Sequence, residues 1–197
     1  MGRVLRFVVI DKGVRQAFEK AAPKDLTTLH GVIGRSVLSK IQQGFKFSVS
    51  PYGEPWKPLA VRQGKPLLDT TALRTSIFYR ADDKGVTIGT KRLATWKGKT
   101  SDVAKVHQFG ATIVPRPDNK SGLLRFPVGG SAGGAKPTGY RFARKVTIPA
   151  RPFFPIRPGA GRVELPPVWA TAVVNALKRY LAGNSFGTKK SKNAGAA

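Results

Sequence analysis

The stretch KVTIPARPFFPIRPG, Lys145 to Gly159, decides how the rest of the chain must be built. It carries four prolines, two arginines and two adjacent phenylalanines. Proline fixes φ and removes a backbone donor, and the residue before each proline is held extended. The stretch can therefore be neither helix nor central strand. We expect a stiff, extended strap over residues 145–162. Its phenylalanines need a surface to lie on, and its arginines need something anionic or wet.

Outward from the strap, the pattern alternates between short strands and helices. Pro166 and Pro167 open a final helix whose apolar stripe is Trp169, Ala172, Val173, Ala176, Leu177 and Tyr180. Upstream, Leu123–Pro127 and Tyr140–Ile148 read as strands. A Gly-rich loop or arm, residues 128–139, lies between them. Asp102 caps a brief helix, VAKVHQFG, ended by Gly110, and Ala111–Val114 is extended. Residues 91–101 read as a polar, basic connector. Thr75–Arg80 and Val86–Thr90 form a hairpin about Asp82-Asp83-Lys84-Gly85. Asp69 or Thr70 caps a helical turn through Ala72 and Leu73, after a turn-rich run containing Trp56. Leu26, Leu29, Ile33, Val37 and Ile41 recur at helical spacing after Pro23, with Gly44 suited to end that helix. Arg3–Ile10 reads as a strand and Asp11–Ala22 as a short helix. The expected class is α+β: a small antiparallel sheet, sandwich- or barrel-like, flanked by helices and carrying extended loops or arms. One domain spans residues 1–182, and residues 183–197 form a basic, disordered tail.

The formal charge is +25, from 35 Lys and Arg against 10 Asp and Glu in 197 residues. After Asp118 the one acidic side chain is Glu164. Such a balance favours contact with polyanions: nucleic acid, an acidic protein surface or anionic lipid. The plainer reading is a solvated basic face that aids solubility. There is no cysteine, which excludes disulfides and thiolate metal sites. The apolar run FVVI, residues 7–10, is too short for a signal core or a membrane span, so a cytoplasmic protein is expected.

Catalytic patterns are missing. Carboxylates are scattered and form no pair at glycosidase or nuclease spacing. His30 and His107 sit in different elements with few carboxylates near them in sequence. The run GGSAGG, residues 129–134, is not a phosphate loop, and no GxSxG elbow occurs. The residues therefore point away from an enzyme, a metal site or a cofactor. Charge alone would fit a stand-alone nucleic-acid-binding protein associated with ribosome or nucleoid, although no RRM, KH or helix-turn-helix signature appears.

Three separated stretches, taken in order, resemble the phage virion morphogenesis family, also called tail completion proteins. The first is GEPWKPL (53–59) followed by KPLLDTTALRTSI (65–77). The second is VTIGT (86–90) followed by AKVHQFGATI (104–113), and the third is IPARPFF (148–154). The family pattern reads G-x-PW-x-PL, L-x-DTG-x-LR-x-SI, V-x-IGT, A-x-IHQFGG and IPARPFLG before a final helix. The similarity runs from about Leu26 to about Tyr180. Thr71 stands where the pattern has Gly, Ala111 stands for a second Gly, and Phe154-Pro155 replaces a Leu-Gly step.

The resemblance implies a non-enzymatic structural protein of a tailed phage or prophage-derived particle, in the neck, as a tail-completion, tail-terminator or head–tail joining component. It implies a homo-oligomeric ring of roughly six copies about the DNA axis. Neighbours would be neck, portal-connector or tail-tube proteins, with non-specific contact to genomic DNA, no membrane and no small-molecule substrate. The location would be the virion, and the host cytoplasm during assembly. Candidate DNA- or subunit-contacting residues are Lys91, Arg92, Trp96, Lys97, Lys99, Arg141, Arg144, Lys145, Arg151, Phe153, Phe154 and Arg157. For Arg151 the other reading is internal, fixing the strap. Residues of the family motifs with structural roles are Trp56, Asp69, Arg74, His107, Phe109, Gly110, Pro149 and Pro152. Trp56 reads as a core plug, Asp69 and Arg74 as a cap and local ion pair, His107 as packing or capping locally, and Phe109 as core.

Overall fold

Helix α1 (Leu26–Phe47) is the element on which the others are laid. Leu29, Val32, Ile33, Val37, Ile41 and Phe45 are buried along it, the single apolar stripe of a helix that faces a core on one side. The molecule, seen in a computed structural model, is described for residues 6–7, 26–60, 64–90, 93–96, 99–129, 136, 138–156 and 165–182. The expected helix Asp11–Ala22, most of the strand Arg3–Ile10 and the tail 183–197 lie outside these residues.

The helix continues past Gly44. Phe45 is fully buried, and its place on the stripe carries the helix one turn further. Ser48 then takes a left-handed φ of 56°. Gly44 is needed for another reason: its carbonyl accepts from Val49 N at 3.0 Å, and a Cβ there would meet Val49 O.

Strands β1 (Arg6–Phe7), β2 (Ile77–Asp82) and β3 (Gly85–Thr90) form an antiparallel sheet in the order β1-β3-β2. The β2–β3 hairpin is in register from Ile77↔Thr90 to Asp82↔Gly85. Helix α1 packs on β2 and β3. A Cβ on Gly34 would stand 2.4 Å from the Tyr79 ring, so the glycine sets how closely helix and sheet approach. Helix α2 (Ala72–Thr75) precedes β2. Its N-cap position is Thr71, at a left-handed φ of 56° and with no side-chain cap bond, rather than Asp69 or Thr70.

The basic connector turns out to be a second hairpin, β4 (Leu93–Trp96) with β5 (Lys99–Asp102). Asp102 caps α3 (Val103–Phe109), accepting from Lys105 N at 3.0 Å. Strand β6 (Ala111–Ile113) follows. The expected strand 140–148 is broken. Its first half is β8 (Gly139–Ala143), paired with β7 (Leu124–Val128), and its second half is β9 (Val146–Ile148), paired with β6. A bend at Arg144 and Lys145 lets the chain change partners. Helix α4 (Pro167–Leu181) buries Trp169, Val173, Ala176 and Leu177 against α1.

The class is therefore α+β. Sheet closure is absent among the described residues: the strands form four small antiparallel units, and none closes into a barrel. Pro149 directly after β9 and Pro115 just after β6 limit how far this pairing can run at its two ends.

Candidate functional site

Trp56, His107, Gly110, Pro149 and Pro152 of the family motifs converge on one node beneath the strap. Prolines 149, 152 and 155 have no N–H to give, and the buried residues between and beside them must each find an acceptor for theirs. Among the described residues they do. Arg151 N donates to His107 O at 2.7 Å and Ile156 N to Phe154 O at 2.8 Å. Phe153 N and Phe154 N both donate to Gln108 Oε1 at 3.0 Å. The same amide returns its Nε2 to Phe154 O at 3.0 Å and Ile156 O at 3.2 Å. One glutamine, 3% exposed, thus serves four backbone groups of a segment that can join no sheet.

The strap's other side meets the loop after α1. Trp56 is buried, stands edge-on to Phe45 with centroids 5.3 Å apart, and donates Nε1–H to Pro152 O at 2.8 Å. Phe153 packs against Phe45 at 5.5 Å and Phe154 at 4.7 Å. The loop holding Trp56 is tied by Ser50, whose Oγ accepts from Tyr52 N and Glu54 N. Arg151 lies at 5% exposure and donates from Nε to Lys57 O at 2.8 Å and from Nη2 to Pro58 O at 2.9 Å. The expectation of DNA or subunit contact for Arg151, Phe153 and Phe154 is corrected accordingly: the guanidinium is committed to two carbonyls, and both rings are 2% exposed inside the chain's own core.

Gly110 has φ 75°, and a Cβ there would sit 2.9 Å from both Ala150 N and Ile148 O. This glycine is what lets the end of α3 touch the start of the strap. His107 is half-buried with Nδ1 lacking a hydrogen-bond partner among the described residues. Burial first, and the Arg151 cation second, hold its pKa below the ordinary imidazole value. Phe109 is exposed rather than core, because α3 buries Ala104 and Gln108, four residues apart, and Phe109 falls off that face. Arg74 donates Nε–H to Gln42 Oε1 at 2.5 Å, and its carbonyl accepts from Gln42 Nε2 at 3.1 Å, pinning α2 to α1. Asp69 is exposed. Pro149 and Pro152 are half-buried along the strap.

The remaining candidates lie apart from this node. Arg141 and Arg144, with Lys145 beyond, are exposed on and just after β8. Arg125 on β7 stacks its guanidinium 3.8 Å above the Tyr140 ring. Trp96 and Lys99 stand on β4 and β5. Lys91, Arg92, Lys97 and Arg157 lie outside the described residues. Among the described residues no group of three metal-binding side chains occurs, and no helix is long and apolar enough to cross a membrane.

Sequence reasoning passed over Gln108. Its signal was present: it sits one helical turn after Ala104, and a proline-rich strap with few N–H groups requires a buried acceptor nearby.

The likeness to a phage family that these motifs suggest is borne out by comparison with known sequences, which defines the chain as virion-related. The chain belongs to the phage virion morphogenesis family, whose sequence profile matches residues 9–164. It is similar to the Mu-like prophage FluMu G protein 2 of Haemophilus influenzae, 28% identical over 146 residues that cover 74% of this chain and 78% of that one. No solved structure matches the chain.

Proposed function

We propose that this protein is a ring-forming neck or tail-completion component at the head–tail junction of a tailed phage or prophage particle, surrounding the DNA channel. The observation that carries the reading is the convergence of Trp56, Gln108, Gly110 and Arg151 on the strap. Trp56, Gly110 and Arg151 of the family motifs hold a rigid scaffold, which supports a structural role. A rigid scaffold suits a subunit that packs against copies of itself and against neighbouring neck, portal-connector or tail-tube proteins. Assembly in the host cytoplasm and residence in the virion follow from this role.

Light scattering after size exclusion, at low and high salt and with and without short random duplex DNA, tests it. A ring-sized oligomer, roughly six copies, that survives high salt is the expected result. A chain that assembles only on DNA, and only at low salt, would refute the ring and favour a stand-alone nucleic-acid-binding protein, the reading that a charge of +25 suggests by itself.

A further inference from the structure

We propose that the β7–β8 ribbon is a sequence-independent contact for the phosphate backbone of duplex DNA. The choice of DNA among polyanions rests on the proposed function; the surface itself is read from its own geometry. Arg125, Arg141, Arg144 and Lys145 are all exposed on the ribbon or at its base. No carboxylate occurs in the sequence between Asp118 and Glu164, so no local acid neutralises them.

The register distributes the charge. Arg125 pairs with Phe142, and the adjacent pair is Phe126 with Arg141. Neighbouring pairs of an antiparallel ribbon face opposite ways. Arg125 and Arg141 therefore project from opposite faces of a two-stranded blade. A B-form major groove admits such a ribbon, and cations on both faces then reach the phosphates of both walls. The cation–π contact that sets the Arg125 guanidinium 3.8 Å from the Tyr140 ring centre restrains the side chain while it stays exposed, with N–H donors still to offer an oxyanion. Leu124, Phe126 and Val128 line a groove with Ile113, Val146 and Ile148, at the foot of the ribbon.

The ribbon strands, LRFPV and GYRFA, contain no Asn, Gln, Asp or Glu to read adenine or cytosine edges, so backbone contact is the mode they support. The same ribbon of a second copy is a poor occupant of this face, because it would set its own arginines and Lys145 against these cations.

The test is fluorescence anisotropy of the full-length chain with a random-sequence duplex of about 30 base pairs, across about 50 to 300 mM NaCl. Neutralising four phosphate contacts with Arg125→Gln, Arg141→Gln, Arg144→Gln and Lys145→Gln together should make the slope of log K against log salt shallower by about 3.6. Affinity near 0.1 M salt should fall on the order of 100-fold. Lys178→Gln with Arg179→Gln, on α4, removes charge elsewhere and serves as control. The same slope for the ribbon variant as for that control, or for the wild type, overturns the proposal, provided thermal melts show all three folded. Poly-glutamate that binds the ribbon while the duplex does not also overturns it, in favour of an acidic protein partner. Because the readout is a salt slope and not an oligomeric state, it stands or falls separately from the ring.

Discussion

Two regions of this molecule carry arginine beside aromatic rings, and they use it in opposite ways. In the strap, Arg151 is 5% exposed and gives its donors to the carbonyls of Lys57 and Pro58. In the β7–β8 ribbon, Arg125 stacks on Tyr140 and remains exposed. The first arginine is a structural strut and the second is a free cation. The sequence around both is similarly cationic and aromatic. Charge composition therefore cannot tell a strut from a contact; only the supply of carbonyl acceptors does.

The sharpest way to break the contrast is to remove the strap's acceptor. Gln108→Leu keeps the volume, takes the Gln108 bonds from Phe153 N, Phe154 N and Ile156 O, and leaves Phe154 O the bond from Ile156 N. Stranding buried polar groups should cost about 4 kcal/mol in chemical denaturation. A loss below about 1 kcal/mol would mean the strap finds other partners and is not held by this amide.

Next in size comes the strut. Arg151→Met removes the two hydrogen bonds to the carbonyls of Lys57 and Pro58, which lie on exposed residues that water can reach, at about 1–2 kcal/mol. Arg151→Lys should recover little, since one ammonium cannot reproduce the guanidinium's divergent donors. Arg141→Met on the exposed ribbon should stay within about 0.5 kcal/mol of the wild type. Equal losses at both positions, measured by the same urea titration, would erase the distinction between strut and free cation.

Trp56→Phe isolates one bond of the node. The ring still packs near Phe45, but Pro152 O loses the Nε1–H that meets it at 2.8 Å. The expected loss is about 1 kcal/mol, and a neutral result would show that Trp56 acts by volume alone.

The helices were legible because their periodicity is a local property: the stripes of α1 and α4 can be counted along the chain. The strand partners were not. Residues 140–148 look like one strand, yet the bend at Arg144 and Lys145 sends β8 to β7 and β9 to β6, a choice made by tertiary pairing. The strap's stiffness followed from its prolines, but its depth did not, because burial of Arg151 depends on carbonyls 93 and 94 residues away. Phe109 misled for a simple reason: hydrophobicity marks a residue as suited to a core, and helix phase decides whether it gets there. The resemblance to a pattern with glycine at position 71 was informative in another way. Thr71 holds a φ of 56°, a conformation that a β-branched residue adopts at a cost. Thr71→Gly should raise stability by about 0.5–1 kcal/mol, seen as a higher denaturation midpoint, after the entropy glycine adds to the unfolded chain is subtracted. A decrease would show that Thr71 makes up for its strain by contacts of its own.

The smallest effect follows from His107, whose carbonyl holds the strap at Arg151 N. Burial and the Arg151 cation both disfavour protonated His107, so its folded pKa lies below the ordinary value of 6.5. The unfolded chain then binds the proton more readily than the folded one. Stability is full above about 6.5 and declines as pH falls through that value toward the lower folded pKa. Urea titrations between about pH 7.5 and 5.5 should show this decline in the wild type and a flatter profile in His107→Gln, the difference between them removing the carboxylates' own contribution. Arg151→Met should lie between the two, since it takes away the repulsion and leaves the burial. Arg141→Met should trace the wild-type profile, because an exposed, screened cation on the ribbon has no hold on a buried imidazole. If Arg151→Met and Arg141→Met shifted the profile alike, the field at His107 would come from the chain's overall charge and not from the strut beside it.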